Sequence, residues 1–180
     1  MYGPVLVGTK VTLRPPVDSD AELFVPWFGD LEVTRYLPRR FGVSLLQVEG
    51  FLKTIGESPT DVFWMLDADG RAIGATGIHQ IDWLHAHGTT GIVSGVKSEW
   101  GKGRASEAIA IRTDYAFRQL NLHKLMSGTF VENEPSRRAL LAAGYREVGL
   151  EREHFFREGR WHDHWLCEIR RPDWEQLRAR

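Results

Sequence analysis

Cysteine is almost absent from the sequence: among its 180 residues, only Cys167 carries a thiol. A single thiol excludes an internal disulfide and a cysteine-based zinc cluster, and it suits the reducing cytosol. No apolar run approaches the roughly 20 residues of a membrane-spanning helix. The N-terminus lacks the basic and then apolar order of a signal peptide. We therefore expect a cytoplasmic protein with no membrane partner.

An excess of charge of one sign is also lacking. The sequence has 23 Lys and Arg against 24 Asp and Glu, a formal net charge of −1. Such a balance creates no overall field that would attract nucleic acid or an anionic membrane, so we expect neither as a partner. The length predicts one domain, residues 1–180, with a substantial core.

What the sequence does contain is a distinctive stretch from Gly91 to Ala108. Its first part is apolar and predicts a buried strand. Gly101 and Gly103 then allow backbone dihedrals that a side chain would forbid. The residues from Ala105 to Leu120 place apolar side chains at helical spacing. The stretch therefore predicts a strand, a glycine turn and a helix.

Such a junction favours anion binding. The first N–H groups of a helix have no partner within the helix, and the helix dipole adds partial positive charge there. Lys102 and Arg104 add full positive charge to the turn. The Walker pattern is absent, and Ser106 stands where a dinucleotide fingerprint needs its third glycine. The turn therefore predicts a phosphate or pyrophosphate site outside those two classes.

The rest of the chain predicts a mixed α/β protein, a sheet flanked by helices. The expected order is a strand, two or three helices, three strands, a helix, a strand, a helix and two strands. Two capping boxes are predicted, at Ser19–Glu22 and at Ser44–Gln47. Pro26 is expected to interrupt the first helix, residues 31–36 to form a short helix, and the polar residues 170–180 to fray.

The glycine turn resembles the acetyl-CoA loop of the GNAT acetyltransferase superfamily. Its form, Trp-Gly-x-Gly-x-Ala-x-Glu-Ala, is similar to the branch of ribosomal-protein-alanine acetyltransferases. Further pieces resemble that branch in the correct order: Leu13-Arg14-Pro15, residues 31–37, residues 120–125, Asn133-x-x-Ser136, Ala143-Gly144-Tyr145 and residues 159–163.

The resemblance implies a GNAT fold: a central, mostly antiparallel sheet with a splayed parallel pair that binds acetyl-CoA, flanked by helices. It also implies acetyl-CoA as co-substrate and no metal. The splayed strand from Val93 to Lys97, which includes Val96, would pair with the pantetheine arm, and the N–H of Val96 would stabilise the oxyanion. The pyrophosphate would lie on the turn formed by Trp100, Gly101, Lys102, Gly103, Arg104 and Ala105.

Two residues of the next helix are implied as further site residues. Asn133 would lie near the cofactor arm, and Ser136 would protonate the leaving thiolate. Both have a simpler alternative, because Asn133 can be only a helix cap and Ser136 only a first-turn hydroxyl. Lys102 and Arg104 could likewise be solvated surface charges.

The sequence offers several candidates for the general base. Members of the family often carry a glutamate early in the central strand, where this chain has Thr89-Thr90-Gly91. The candidates are an ordered water or one of several side chains: His79, Asp82, His85, His87, Glu151 and His154. His85 and His87 could bind a metal, but the sequence shows no third ligand. Trp83, Asp82 and His79 are expected to contact the acceptor.

The predicted function is acetyl transfer to a primary amine. The favoured acceptor is a small cationic amine: an aminoglycoside-type antibiotic, which would imply antibiotic resistance, an amino sugar or a polyamine. One alternative is the α-amine of a protein N-terminus, such as that of a ribosomal protein, and another is an acyl-CoA-binding module without turnover. A deep aromatic or acidic pocket would favour the small amine, and an open groove the protein. A monomer or a homodimer is expected.

Overall fold

The architecture, seen in a computed structural model that describes residues 1–179, is one mixed sheet with helices on both faces. Its strands are β1 (Leu6–Val7), β2 (Thr12–Arg14), β3 (Val62–Ala68), β4 (Arg71–Asp82), β5 (His87–Ser94), β6 (Lys124–Phe130), β7 (Arg146–Arg157) and β8 (Arg160–Arg170). Its α-helices are α1 (Asp20–Gly29), α2 (Leu45–Glu57), α3 (Arg104–Arg118), α4 (Glu134–Ala142) and α5 (Arg171–Arg178). The predicted α/β class is confirmed.

The sheet has the order β1-β2-β3-β4-β5-β6-β8-β7, and its neighbours are antiparallel except for β5 and β6. The parallel pairing runs only from His87 opposite Lys124 to Thr89 opposite Met126. Beyond it, β5 stays paired with β4 as far as Ser94, while β6 stays paired with β8. The two strands therefore splay apart, which opens a gap in the middle of the sheet.

Where β5 and β6 diverge, side-chain hydrogen bonds join the two strands in place of the backbone ladder. The hydroxyl of Thr90 donates to the carbonyl of Met126, and the hydroxyl of Ser127 donates to the carbonyl of Thr90, both at 3.2 Å. Since these bonds close the gap at one end, the opening begins at a fixed residue.

Strand β3 shows why the chain folds into layers. Its side chains alternate between the two faces of the sheet, as the period of a strand requires. Trp64 and Leu66 belong to the core on one face, which includes Ile109 of α3. Phe63 and Met65 belong to the core on the other face, beneath α1 and α2. Burial on both faces makes the strand almost continuously apolar.

Some local predictions hold and others do not. The capping box is confirmed at Ser44 and Gln47, but Ser19 makes no capping bond with its side chain, and α1 continues through Pro26 to Gly29. The carboxylate of Asp20 fixes the start of α1 instead, since it accepts from the N–H of Val17 at 2.7 Å. Residues 31–36 form turns rather than a helix.

The C-terminal segment was expected to fray, and that prediction is wrong for residues 171–178, which form α5. The indole of Trp174 donates to the carboxylate of Asp114 at 2.6 Å and packs 5.5 Å from the ring of Phe117. Arg180 lies outside the described residues. None of the helices in residues 1–179 combines the length and the hydropathy that crossing a bilayer requires.

Candidate active site

The glycine turn has the geometry that the sequence predicts. Gly101 and Gly103 adopt φ values of +74° and +79°, in the left-handed region that favours glycine. Gly103 is the N-cap of α3, whose first residue is Arg104. The first N–H groups of α3 point out of its N-terminus without a partner inside the helix. The turn therefore presents backbone donors and the positive end of a helix dipole to an anion.

The cations that were expected to hold phosphates are already paired with carboxylates. Lys102 and Arg104 both contact Glu99 at 3.1 Å, and Arg104 also contacts Asp69 at 2.8 Å. The hydrogen bond from Lys102 and the neighbouring positive charges hold the pKa of Glu99 below its usual value. A phosphate would have to compete with Glu99 for both cations.

Lys97 is paired in the same way, at the end of the splayed strand. Its ammonium lies 2.8 Å from Asp30 and 2.9 Å from Glu32. The hydrogen bonds to Asp30 and then to Glu32 raise the pKa of Lys97. Lys97 therefore ties the strand end to the segment after α1, and its contact with a cofactor stays a prediction.

Lys10 is a cation at the turn that sequence reasoning missed. Its ammonium would lie 3.0 Å from a Cβ at Gly103, and it makes no ion pair within residues 1–179. Lys10 and Ser106 line a small cavity of about 280 Å³ between α3 and α4. Lys10 is far from the glycine turn in the sequence, and it reaches the turn because the β1–β2 loop packs against α3.

Glu107, which belongs to the family-like motif, fixes that packing. Its carboxylate accepts from the N–H and hydroxyl of Thr9, and from the N–H groups of Lys10 and Val11, at 2.6–3.0 Å. Burial opposes ionisation, but these bonds hold the pKa of Glu107 below its usual value. The glutamate therefore links the first turn of α3 to the loop that carries Lys10.

The splayed strand is anchored to β4. The N–H groups of Gly95 and Val96 both donate to the carbonyl of Ile73, at 2.9 and 3.3 Å. The indole of Trp100 donates to the carbonyl of Ser94 at 3.0 Å. The N–H of Val96 thus has an internal acceptor, and its oxyanion role stays a prediction.

The start of α4 confirms Asn133 as a helix cap. Its side-chain oxygen Oδ1 accepts from the N–H of Ser136 at 3.3 Å, and its side-chain amide Nδ2 donates to the hydroxyl of Thr129 at 2.9 Å. Ser136 is half-buried in the first turn. The roles of both residues beside the cofactor stay predictions.

A larger cavity, which we call the aromatic cavity, lies on the opposite face of the sheet. It has a volume of about 760 Å³ and is lined by residues of α1, α2, the segment 37–43 and strands β3, β4 and β5. Ile92 and Val93 of the splayed strand form part of its wall, so the cavity reaches the gap in the sheet. Most of its lining is apolar or aromatic and includes Phe24, Phe28, Phe41, Phe51 and Phe63. None of these lining residues is a carboxylate.

Arginines gather at one side of the aromatic cavity. Arg39 and Arg40 line it and make no ion pair within residues 1–179. The guanidinium of Arg157 donates to the carbonyls of Leu37 and Arg39 and so holds this segment in place. Burial, and then the charge of Arg40, lower the pKa of Arg157. Within residues 1–179, no carboxylate pairs with Arg39 or Arg40 on this side of the cavity.

The three residues expected to contact the acceptor separate in the structure. His79 lines the aromatic cavity, whereas Trp83 and Asp82 are not among its lining residues. The half-exposed indole of Trp83 donates to the carbonyl of Pro59 at 2.9 Å, and Asp82 accepts from the N–H and lies 2.8 Å from the ring of His85. The acceptor roles of Trp83 and Asp82 stay predictions.

His79 itself is paired with a carboxylate that sequence reasoning missed. Its Nδ1 lies 3.0 Å from Oδ1 of Asp61, which precedes β3. Burial lowers the pKa of His79, which Asp61 opposes and the charge of Arg112 reinforces.

Arg112 is a fully buried cation on α3 with no carboxylate partner within residues 1–179. Its guanidinium donates to the hydroxyl of Thr76 at 2.5 Å and to the carbonyl of Gly91 at 2.8 Å. Burial lowers the pKa of Arg112. The arginine joins α3 to β4 and β5 at the residue where the strands diverge. In the sequence, the sign of this role is an arginine at a position of α3 that faces the core.

Two groups of side chains have atoms close enough to hold a metal ion. They are Asp82, His85 and His87, and Glu151, His154 and His164. The sequence-based statement that His85 and His87 lack a third ligand is therefore wrong, because the turn brings Asp82 to them.

Comparison with known proteins places this geometry in a family. The family model described as Acetyltransferase (GNAT) domain matches residues 10–146. An uncharacterized N-acetyltransferase of Bacillus subtilis, YoaA, is 28% identical over 174 residues, which cover 94% of this chain and 98% of the relative. The ribosomal protein uS5-alanine N-acetyltransferase of Escherichia coli is 29% identical over 80 residues, 44% of this chain and 41% of that protein.

The fold matches solved structures over nearly its whole length. The spermidine N-acetyltransferase from Vibrio cholerae, crystallised with CoA and spermine, superimposes with a TM-score of 0.86 at 24% identity. The match covers 93% of this chain and 99% of that one. The splayed parallel pair, the glycine turn and the family match together show that the chain belongs to the GNAT acetyltransferase family and is an N-acetyltransferase.

Proposed function

We propose that this enzyme transfers the acetyl group of acetyl-CoA to the primary amine of a small acceptor bound in the aromatic cavity. The observation that carries the proposal is the aromatic cavity, a concave site of about 760 Å³ whose lining is mostly apolar, includes five phenylalanines and contains Ile92 and Val93 of the splayed strand. Ligand sites for small molecules are concave and mostly apolar, with a few polar groups that fix orientation. An acceptor there would lie against the strand along which the thioester is expected.

The opposite side of the gap fits acetyl-CoA. The glycine turn offers the N–H groups at the start of α3, and Lys10 adds a cation without an ion pair within residues 1–179. The pyrophosphate would lie on these N–H groups, and the pantetheine arm would follow β5 towards the aromatic cavity. We place the reaction in the cytoplasm, which suits the single buried thiol of Cys167.

The charges of the residues that line the aromatic cavity limit which class of amine can bind there. A polyamine or an aminoglycoside would bring several positive charges, whereas Arg39 and Arg40 line the aromatic cavity and, among residues 1–179, no carboxylate does. Like charges in contact disfavour binding. We therefore propose an acceptor with one reacting amine, an apolar body and a carboxylate or phosphate that pairs with the arginines.

The test is release of CoA thiol from acetyl-CoA with matched pairs of amines. Each pair differs only in a carboxylate: phenylalanine against phenethylamine, and 4-(aminomethyl)benzoate against benzylamine. Spermidine, an aminoglycoside and a peptide with a free N-terminal alanine complete the panel. We expect kcat/KM to be about 10-fold or more higher for the carboxylate member of at least one pair, the difference of roughly 1.4 kcal/mol that one charge-assisted contact supplies.

Variants at the arginines complete the test. Changing Arg39 and Arg40 to Gln should remove the preference for the carboxylate, because the paired charge is lost. Arg138→Gln is the matched control, since Arg138 is exposed on α4 and, within residues 1–179, pairs only with Glu134. Turnover of spermidine or the aminoglycoside alone would overturn this acceptor in favour of a polycation, and turnover of the peptide alone in favour of a protein N-terminus.

A further inference from the structure

We propose that His79 is the general base of the transfer and that Asp61 is its positioning residue. The proposal rests on the proposed function, because it requires the acceptor amine to bind in the aromatic cavity. The two residues lie on β4 and on the loop before β3, neighbouring strands of the sheet.

Asp61 is held so that it can orient the imidazole. Its Oδ1 lies 3.0 Å from Nδ1 of His79 and accepts from the N–H of Gln80 at 3.4 Å, while Oδ2 accepts from the hydroxyl of Ser58. Burial opposes ionisation of Asp61, but the bonds from Ser58 and His79 hold its pKa below the usual value. An ionised carboxylate can only accept, so Nδ1 must carry the proton. Nε2 of a neutral ring is then left with its lone pair.

The Nε2 edge of the ring lies over a patch of bare backbone. A Cβ at Gly77 would come within 2.6 Å of Cε1 and Nε2, and one at Gly91 within 3.9 Å of Nε2. Gly77 and Gly91 are opposite each other in the ladder, and both line the aromatic cavity. Gly91 follows the residues at which β5 leaves β6. The lone pair therefore lies at the cavity wall beside the start of the gap, where amine and thioester would meet.

Burial keeps the imidazole of His79 neutral at physiological pH. Burial is the largest effect and lowers the pKa of His79 below its ordinary value of 6.5. The carboxylate of Asp61 opposes this effect, and the buried charge of Arg112 adds to it. Arg39 and Arg40, which line the same cavity, are also positive. No carboxylate other than Asp61 contacts the imidazole within residues 1–179.

The chemistry needs such a base, because a primary amine with a pKa of about 10.4 is neutral in only about one molecule in 10³ at pH 7. Nε2 of His79 takes one proton from the ammonium group. The nitrogen lone pair then forms the C–N bond to the thioester carbon, and the C–S bond breaks. A second amine proton leaves with the sulfur as the thiol, and the proton on Nε2 passes to water. The products are the acetamide, CoA thiol and one proton.

The first experiment compares His79→Gln and Asp61→Asn with the wild-type enzyme, with His123→Gln as control, because His123 is exposed and immediately precedes β6. Thiol release is measured from pH 5 to 9 with the best amine of the panel, and binding of CoA by calorimetry. We expect His79→Gln to lower kcat by about 10² or more, the usual contribution of a general base, and to leave CoA affinity within twofold.

Asp61→Asn should act through the ring rather than on the substrate. Its amide can donate to Nδ1, which would move the proton to Nε2 and remove the lone pair. Removing the carboxylate also removes the effect that raises the pKa of His79, so the acid limb of the kcat/KM profile should move to lower pH. The ¹⁵N NMR spectrum of the His79 imidazole in the unliganded enzyme measures the position of the proton and the pKa without turnover. The wild-type spectrum should show Nδ1–H, and the Asp61→Asn spectrum should show a larger share of Nε2–H.

The outcomes separate the two proposals. If amines are acetylated and His79→Gln keeps kcat within threefold, or if wild-type His79 carries its proton on Nε2, only the base assignment fails. If no amine of the panel is acetylated although CoA binds, the proposed acceptor fails, and the role of His79 as its base fails with it.

Discussion

Replacing Glu107 by Gln should destabilise the protein far more than a surface substitution of the same kind. The carboxylate of Glu107 accepts four hydrogen bonds, two on each oxygen. A glutamine keeps one oxygen, which can still accept from Thr9. Its amide group would face the N–H groups of Lys10 and Val11, which are donors themselves. Two backbone donors therefore lose their acceptor.

The magnitude follows from these two lost bonds. A hydrogen bond to a charged group contributes about 1.5–3 kcal/mol when its donor is buried. Glu107 is only half-buried, and water can replace part of the loss, so we expect a decrease of about 2 kcal/mol in the free energy of unfolding. For a chain of this length each kcal/mol changes Tm by roughly 2–4 °C. The expected decrease in Tm is therefore roughly 4–8 °C.

Thermal unfolding followed by circular dichroism at pH 7 measures this decrease. The control is Glu134→Gln in the first turn of α4, where the carboxylate makes one exposed contact with Arg138 at 3.4 Å. Such a pair contributes about 0.3–0.5 kcal/mol, so Tm should fall by no more than about 2 °C. Equal Tm values for the two variants would refute the reasoning.

The pH dependence adds a second check on the same residue. The hydrogen bonds lower the pKa of Glu107 in the folded state. The stability that they provide is therefore present above the unfolded pKa, about 4.3, and is lost as the pH falls through the folded value. The difference in Tm between wild type and Glu107→Gln should shrink as the pH is lowered from 6 towards 3. A constant difference over that range would exclude the carboxylate charge as its cause.

Two further predictions concern the glycine turn and the thiol. Gly103→Ala puts a side chain at φ +79°, a strain of about 1–2 kcal/mol that the free turn relieves by changing its dihedrals and that CoA binding must restore, so CoA affinity measured by calorimetry should fall about fivefold or more. Gly159→Ala, at φ +78° in the β7–β8 turn, is the control; equal CoA affinities in the two variants would contradict the role of the turn. Burial, and then the charge of Glu147, raise the pKa of the Cys167 thiol to about 12. At pH 8 a disulfide reagent should therefore label it only after addition of denaturant, and prompt labelling of the native protein would contradict this.

The sequence predicted the parts of the site that depend on neighbouring residues. Gly103 was expected in a turn because few other residues tolerate its dihedrals, and it caps α3 with a positive φ. Asn133 was considered as a cap because asparagine favours that position, and it caps α4. In both cases the physical cause lies within a few residues of the chain.

The parts that were missed depend on contacts between distant residues. Asp61 reaches His79 because β3 and β4 pair in a particular register, which no local pattern specifies. Lys10 reaches Gly103 because Glu107 binds the backbone of the β1–β2 loop. The fraying prediction at the C-terminus failed for the same reason: Trp174 is stabilised by Asp114, sixty residues earlier.

Whether a cation already forms an ion pair also decides whether it is expected to bind an anionic ligand. Lys102 and Arg104 were chosen because they lie in the turn, yet each is paired with Glu99. A cation in an ion pair binds a phosphate only after its first partner is displaced or shared. Within residues 1–179, Lys10 at the turn and Arg39 and Arg40 at the aromatic cavity have no such partner. A ligand can supply their counter-charge without breaking an existing contact. Since these cations lie at opposite sides of the gap in the sheet, we expect Lys10 to recognise the phosphates of the donor and the two arginines to recognise the anionic group of the acceptor.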